Sequence, residues 1–368
     1  MSELSRSESI WRTLPLIGYI VSEWQLWYAE RAAPCYGLAP MPKDASDLPP
    51  YPIDMWPVLS LPFGFLDEAG VPYTCATTSF PAGYHPTDIA QYALAHWNAY
   101  LSTGDEKHRQ SFMIQADWLV AHESRMHDDA GGWPFTFPYH KYYVRVPWLS
   151  ALTQGNGISV LVRAYRLTGK EVFLQVARRA VRTFELDIRD GGVSTPIGDD
   201  GVFFEEYAAY PTAHVLNGYI FSLFGLYDYV ALTGDAQIAT LIQRSLVAMH
   251  TIINEYDMGY WSRYDLLYRH PASLFYHDQH AVLLTVLSRY SDCKHCVALA
   301  ARWAGYQHGH WRRLRYFIAS RIARYYRGLR RKGIRGAFFR ILRAEEQIAS
   351  ESVNHFTELG SRNRKVSR

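Results

Sequence analysis

Two stretches of this chain gather ionisable and hydrogen-bonding side chains at short spacing. The first is Phe203-Phe204-Glu205-Glu206-Tyr207, followed by Pro211 and Asn217-Gly218. The second runs from Arg263-Tyr264-Asp265 through Arg269-His270 to Tyr276-His277-Asp278-Gln279-His280. Together they offer carboxylates, phenols, guanidiniums and imidazoles. That mixture suits proton transfer on a polar substrate: a carboxylate gives or takes the proton, phenols and imidazoles donate hydrogen bonds, and guanidiniums hold a negative charge. His277 and His280 are three apart and could share a helix face around a metal, but no third ligand accompanies them, so hydrogen bonding to substrate or to a neighbour is the expected role. In a chain with 27 Tyr a single loop tyrosine is usually packing. The joint placement of these residues is what points to a site.

The elements that must position them repeat. Thr103-Gly104-Asp105, Thr168-Gly169-Lys170 and Thr233-Gly234-Asp235 stand 65 residues apart, each between two runs of helical apolar spacing. A repeated helix-turn-helix unit cannot bury its apolar face alone and needs copies beside it. The predicted pairs are about 89–103 with 106–124, 155–167 with 170–186, 215–232 with 235–254, and a less regular fourth, 278–290 with 292–305, in which Ser291-Asp292 replaces the glycine turn. Asp88 is the candidate cap of the first helix. Four such pairs predict a mainly α fold, an α/α toroid in the form of an incomplete barrel. Because the helices of a pair run antiparallel, the short turns lie on one rim and the long Gly-rich, aromatic loops on the other. These loops begin at Asp128, Asp190 and Asp257, and function is expected on their rim.

Three regions follow: an N-terminal arm and Pro/Gly-rich wrapping segment with short strands over 1–86, the helical domain over 87–308, and a basic amphipathic tail over 309–368. Residues 311–340 hold 11 Lys or Arg and no acid, and 341–368 add one net positive charge, so residues 1–310 carry −9 of the overall +3. The tail alternates Arg with Leu, Phe, Ile and Tyr at helical spacing, which suits an anionic lipid surface, a polyanion or a partner protein. The aromatic arm Trp11 to Tyr28 suits packing on the body or resting at a membrane surface. With no signal-peptide pattern and no run approaching 18 apolar residues, a cytoplasmic location is expected, at the inner membrane face where arm or tail meets lipid. Nucleic acid is not an expected partner, and a homodimer is one assembly this reading allows. Four cysteines do not make a secreted disulfide framework in a chain this long. Cys293-Lys-His-Cys296 has the spacing of half a zinc site or of a redox pair, yet no second pair accompanies it, and neither use is expected.

Several segments resemble one family closely. Leu152 to Tyr165, Glu205-Glu206-Tyr207, Val215 to Asp228, Tyr264-Asp265-Leu266 and Tyr276-His277-Asp278-Gln279-His280 are similar, in content and in order, to the C-terminal catalytic domain of D-glucuronyl C5-epimerases over about residues 85–308. The resemblance implies an α/α toroid that converts D-glucuronate into L-iduronate within heparan- or heparosan-type polysaccharide. Arginine and neutral hydrogen-bond donors can stabilise the intermediate of such a reaction, so no cofactor is expected, and a metal site known in some relatives lies outside the matching segments and is not carried over. The family's glutamate and tyrosines fall on Glu206, Tyr207, Tyr264 and Tyr276, the implied catalytic group. Arg269, Arg263, His277, His280, Asn217, Gln154, Trp133 and Glu205 are the substrate-binding candidates. Leu267-Tyr268 stands between Tyr264-Asp265-Leu266 and Arg269-His270, where the family has Arg-His directly. Alternatives on the same architecture are a uronate lyase using the same C5 proton abstraction, a glycoside hydrolase pairing Glu206 with Asp265 or Asp128, and a non-catalytic glycan-binding protein.

Overall fold

The computed structural model describes residues 35–39, 48–61, 64–77, 80–126 and 129–322. The arm Trp11 to Tyr28, the arginine-rich segment beyond residue 322 and Asp128 lie outside the described residues. The chain divides into two compact units, one of residues 34–313 and one of residues 1–33 and 314–368. Of the second, residues 314–322 are described and are helical.

The larger unit is built from eight helices in antiparallel pairs: α1 (Pro86–Thr103) with α2 (Glu106–Ala121), α3 (Ala151–Thr168) with α4 (Glu171–Arg182), α5 (Leu216–Thr233) with α6 (Ala236–Ile252), and α7 (Leu274–Ser291) with α8 (Lys294–Tyr306). The first helix of each pair packs on the first helix of the next, so α1, α3, α5 and α7 form an inner layer and the second helices lie outside it. The inner helices are correspondingly buried all round: α3 from Ala151 to Ala164 and α5 from Leu216 to Leu226. Outer α4 is instead amphipathic, burying Phe173, Val176, Ala177 and Ala180 at helical spacing. This is the incomplete α/α toroid of four helix pairs that the repeats predict.

The recurring Thr-Gly turn has one geometry in all three copies. Gly104, Gly169 and Gly234 sit at φ of 71°, 69° and 69°, the left-handed conformation that ends a helix. The preceding threonine hydroxyl donates to the carbonyl four residues back and accepts the N–H two residues on. Asp105 and Asp235 then cap the next helix through their side chains. Asp292 takes the left-handed position in the fourth turn, at φ 47°.

Two boundaries differ from the sequence reading. Helix α1 begins at Pro86 with His85 at the cap, since proline suits a first helical turn; Asp88 sits inside that turn and accepts from Thr74 Oγ1 instead. Helix α7 begins at Leu274 because Ser273 caps it, accepting from the Tyr276 N–H. Tyr276, His277 and His280 therefore stand on its first turns.

The Pro/Gly-rich segment carries short antiparallel ladders, β1 (Gly37–Leu38) with β2 (Ile53–Asp54) and β3 (Gly64–Leu66) with β4 (Pro72–Thr74). It bridges the two ends of the inner layer. The Tyr36 hydroxyl donates to Gln91 on α1, and its ring packs edge-on against Phe275 on α7. A buried ion pair of Arg163 on α3 with Asp228 on α5, extended by Arg163 Nη2 to the Pro50 carbonyl, ties this segment to the helices. The long loops add β5 (Ser124–Arg125) with β6 (Gly131–Gly132), and the hairpin β7 (Ser194–Ile197) with β8 (Gly201–Phe204).

Candidate functional site

Hairpin β7–β8 delivers Glu205 and Glu206 directly after its last residue, with their backbone fixed by Glu205 N–H to the Val193 carbonyl and Ala151 N–H to the Glu205 carbonyl. The next long loop brings Tyr264 beside them, because the Leu216 N–H at the start of α5 donates to the Tyr264 carbonyl at 3.3 Å. The first turn of α7 supplies Tyr276, whose ring lies 4.7 Å from that of Tyr264. Three segments distant in sequence thus meet on the long-loop rim. The four residues named from sequence converge: the Glu206 charge acts on Tyr207, Tyr264 and Tyr276 alike.

Glu206 is 6% exposed and Tyr207 8%, whereas Tyr264 and Tyr276 are only half-buried. Burial pushes the Glu206 carboxyl up to about 7, partly offset by hydrogen bonding from Tyr207, the positive charge of Lys141, and hydrogen bonding from Tyr264 and the Gly218 N–H. Its Oε2 nonetheless lacks a partner in good hydrogen-bond geometry. Gly218 is the reason the carboxyl fits against α5, since a β-carbon there would stand 2.3 Å from Glu206 Oε2. All three phenols are pushed up, by burial first and by the Glu206 charge second. At neutral pH they are proton donors, and Glu206 is the group balanced between acid and base.

A third long loop completes the site with residues that the sequence reading did not single out. Tyr142 stacks on Tyr207 with ring centroids 4.3 Å apart, and Tyr139 lies 5.2 Å from the same ring. Lys141 Nζ donates to the Tyr142 hydroxyl at 2.7 Å and stands 5.4 Å from the Tyr264 ring centre. The Tyr142 hydroxyl donates in turn to Asp265 Oδ2 at 2.9 Å. Asp265 also accepts the Tyr268 N–H, and so serves as a loop anchor rather than as a second carboxylate facing Glu206. The signal in the sequence was the run Tyr139-His140-Lys141-Tyr142-Tyr143, phenols and a cation in a loop on the predicted rim.

The other candidates are placed elsewhere. Arg269 pairs with Glu255 at 2.9 Å on the surface, both about half exposed, and the Arg263 N–H donates to the Tyr256 carbonyl. The charges of Arg269, Tyr260, Glu255 and Asp257 act on Arg263, which groups it with the Arg269–Glu255 pair. The cation acting on Glu206 is Lys141.

His277 and His280 are buried and do share a helix face, but what they meet there is the Ser262 hydroxyl, at 2.8 and 3.0 Å. His277 stacks on Trp261 at 3.8 Å and reaches the Trp303 carbonyl through Nε2. Burial holds the two imidazoles down at about 4 and about 3; they are neutral pins joining the loop of Trp261 and Ser262, and α8, to α7.

Glu205 is fully buried, accepting from Thr195 Oγ1 and the His214 N–H. Gln154 accepts from the Trp133 N–H and donates to the Gly131 carbonyl and Thr183. Trp133 is 1% exposed, its indole N–H on the Leu119 carbonyl, and offers no open face to a sugar. Asn217 borders the site, next to Gly218, with a buried Oδ1 that has no hydrogen-bond partner among the described residues.

Residues 127–305 match the family described as D-glucuronyl C5-epimerase C-terminus. A D-glucuronyl C5-epimerase of Caenorhabditis elegans is 32% identical over 228 residues, covering 55% of this chain and 36% of the worm protein. An uncharacterized protein of Methanocaldococcus jannaschii is 31% identical over 138 residues, 37% of this chain and 45% of its own length. The chain therefore spans less than half of each of these relatives. Among solved structures, an unsaturated glucuronyl hydrolase of Bacillus sp. GL1, described as responsible for glycosaminoglycan degradation, aligns at 13% identity and a TM-score of 0.42 over 60% of this chain and 61% of its own. An unsaturated glucuronyl hydrolase specific for heparin aligns at 14% identity and a TM-score of 0.41 over 59% and 60%.

Proposed function

Residues 127–305 belong to the D-glucuronyl C5-epimerase C-terminal family, and we propose that this chain inverts C5 of D-glucuronate within an anionic, uronate-containing polysaccharide. The observation that carries the reading is the single cluster of Glu206, Tyr207, Tyr264 and Tyr276, in which one carboxyl titrates near neutrality among phenols that stay protonated.

Inversion at C5 requires removal of a proton alpha to a carboxylate and delivery of a proton to the opposite face. The intermediate is a dianionic enediolate, so the site must hold extra negative charge without water. Glu206 in its ionised form takes the C5 proton, and a neutral phenol, Tyr276 or Tyr264, delivers its own proton from the other side and recovers one from solvent. Neutral donors and one cation suit the intermediate better than the ground state, and removing one such donor in other enzymes costs roughly 3–4 kcal/mol. Lys141 takes the charge-holding part that the sequence reading gave to Arg269 and Arg263. It faces the same phenols and both stabilises ionised Glu206 and attracts the substrate carboxylate. No step calls for a cofactor.

The reading is tested by Glu206→Gln. The variant should lose wash-in of solvent deuterium at C5 by at least about a thousandfold while still binding the polymer. Exchange at the wild-type rate would remove Glu206 from the mechanism. Tyr276→Phe should lower inversion on the order of a hundredfold or more, since it keeps the ring and removes the proton donor.

A further inference from the structure

Where the last turn of α6 faces the start of α8, Cys293 and Cys296 are joined in a disulfide. Cys293 is the cap of α8, its sulfur accepting the Cys296 N–H at 3.1 Å. The exposed His250, in the last turn of α6, places Nε2 at 3.2 Å from the same sulfur. The three donor atoms lie within 4.8 Å of one another. The spacing of the pair is that of a redox motif, but its third member comes from another helix 43 residues earlier and cannot be read from the spacing.

Three features separate this bridge from a structural staple. It closes a loop of sequence separation 3, which constrains the unfolded chain less than any longer loop does. Its two cysteines are inequivalent: Cys293 keeps 6% of its surface exposed beside the exposed His250, whereas Cys296 is 0% exposed, so the first is the side from which a thiol would approach. Cys293 also sits at a helix N-terminus beside an imidazole, the surroundings that favour a thiolate. Cys35 is the contrast within the chain, a thiol pushed up to about 12 by burial and by the charge of Asp278.

We propose that Cys293 and Cys296 form a reversible thiol–disulfide centre, with Cys293 the sulfur that exchanges, His250 the group that stabilises its thiolate, and a small thiol or dithiol reductant as its partner. In reduction, a reductant thiolate attacks Cys293 Sγ, the Cys293–Cys296 bond breaks, and Cys296 leaves as a thiolate that takes a proton from solvent. A second reductant thiolate then attacks the mixed disulfide, forming the reductant's own disulfide and releasing Cys293 as a thiolate beside the His250 ring. Two electrons pass from reductant to protein, and the reverse sequence restores the bridge. The inference is independent of the polysaccharide chemistry.

The test equilibrates the full chain, and a His250→Gln variant, in mixtures of reduced and oxidised glutathione, with acid quenching, alkylation and mass measurement of the Cys293–Cys296 peptide. The bridge of the wild type should open and re-form reversibly in the folded protein. The variant should need about a tenfold higher ratio of squared reduced to oxidised glutathione for half-reduction, because its thiolate has lost the imidazole beside it. Thermal melting of both proteins checks that the surface substitution leaves the fold intact. A bridge that opens only on unfolding, an unchanged midpoint in the variant, or isolated protein carrying one zinc per chain with both thiols released by a chelator would each overturn the proposal.

Discussion

Glu206 gives the account its sharpest consequence for stability. A carboxyl raised from an ordinary 4.5 to about 7 keeps its proton in the folded state while the unfolded chain has lost it. The folded form therefore binds the extra proton between those values, and stability falls as pH rises through that window, by up to roughly 3 kcal/mol above pH 7. Glu206→Gln removes the penalty, so the variant should melt several degrees above wild type at pH 8 and show no such advantage at pH 4. Equal differences at both pH values would contradict the assignment. The same titration gives the wild type an acid limb, activity rising with pH through about 7 as the base form accumulates. Glu206, Tyr207, Tyr264 and Tyr276 were legible because their motifs stand in order along the chain. Lys141 was not, because it lies in an aperiodic loop where only the folded backbone shows which phenol it touches. The surroundings of Arg263 were illegible for a related reason: composition cannot tell which charges stand beside a loop residue.

At the scale of elements, glycines set how closely the inner helices approach. A β-carbon on Gly225 of α5 would stand 2.2 Å from the Gly155 carbonyl oxygen of α3, and one on Gly155 would stand 2.5 Å from Ser222 Cα. Backbone cannot yield as a flexible side chain does, so Gly225→Ala should cost about 1–3 kcal/mol in denaturant unfolding; a change within 0.5 kcal/mol would mean that the helices pack less closely than described. Gly218→Ala acts at the same scale with a different readout. Its β-carbon meets the Glu206 side chain at 2.3 to 2.8 Å and must displace it, so activity should fall on the order of a hundredfold for a modest loss of stability. The 65-residue recurrence carried the architecture, because a threonine hydroxyl and a left-handed glycine do the same work in three turns, joined in the first and third by a capping aspartate. Helix starts were less legible where a cap replaced the expected loop, as Ser273 does for α7, and that shift moved Tyr276 from a loop onto a helix.

For the whole molecule the question is charge. Residues 1–310 carry −9 and residues 323–368 a net +8, so on the proposed function a polyanionic substrate would meet an acidic stretch of chain with Lys141 at its site and a basic segment in the same chain. On the proposed function, removing residues 323–368 should lower kcat/KM on an anionic polymer about tenfold at low ionic strength, and the difference should close near about 0.5 M salt as screening shortens the field. An equal loss at all salt concentrations would mean that the segment acts through contact or folding instead. The central claim concerns what happens at one carbon. Incubation of an unsulfated glucuronate–hexosamine polymer with the protein in deuterated water, followed by nuclear magnetic resonance, reads it directly. The account predicts deuterium at C5 and new iduronate signals in chains of unchanged length; chains shortened to unsaturated or reducing ends, or a C5 position still fully protonated after prolonged incubation, would contradict it.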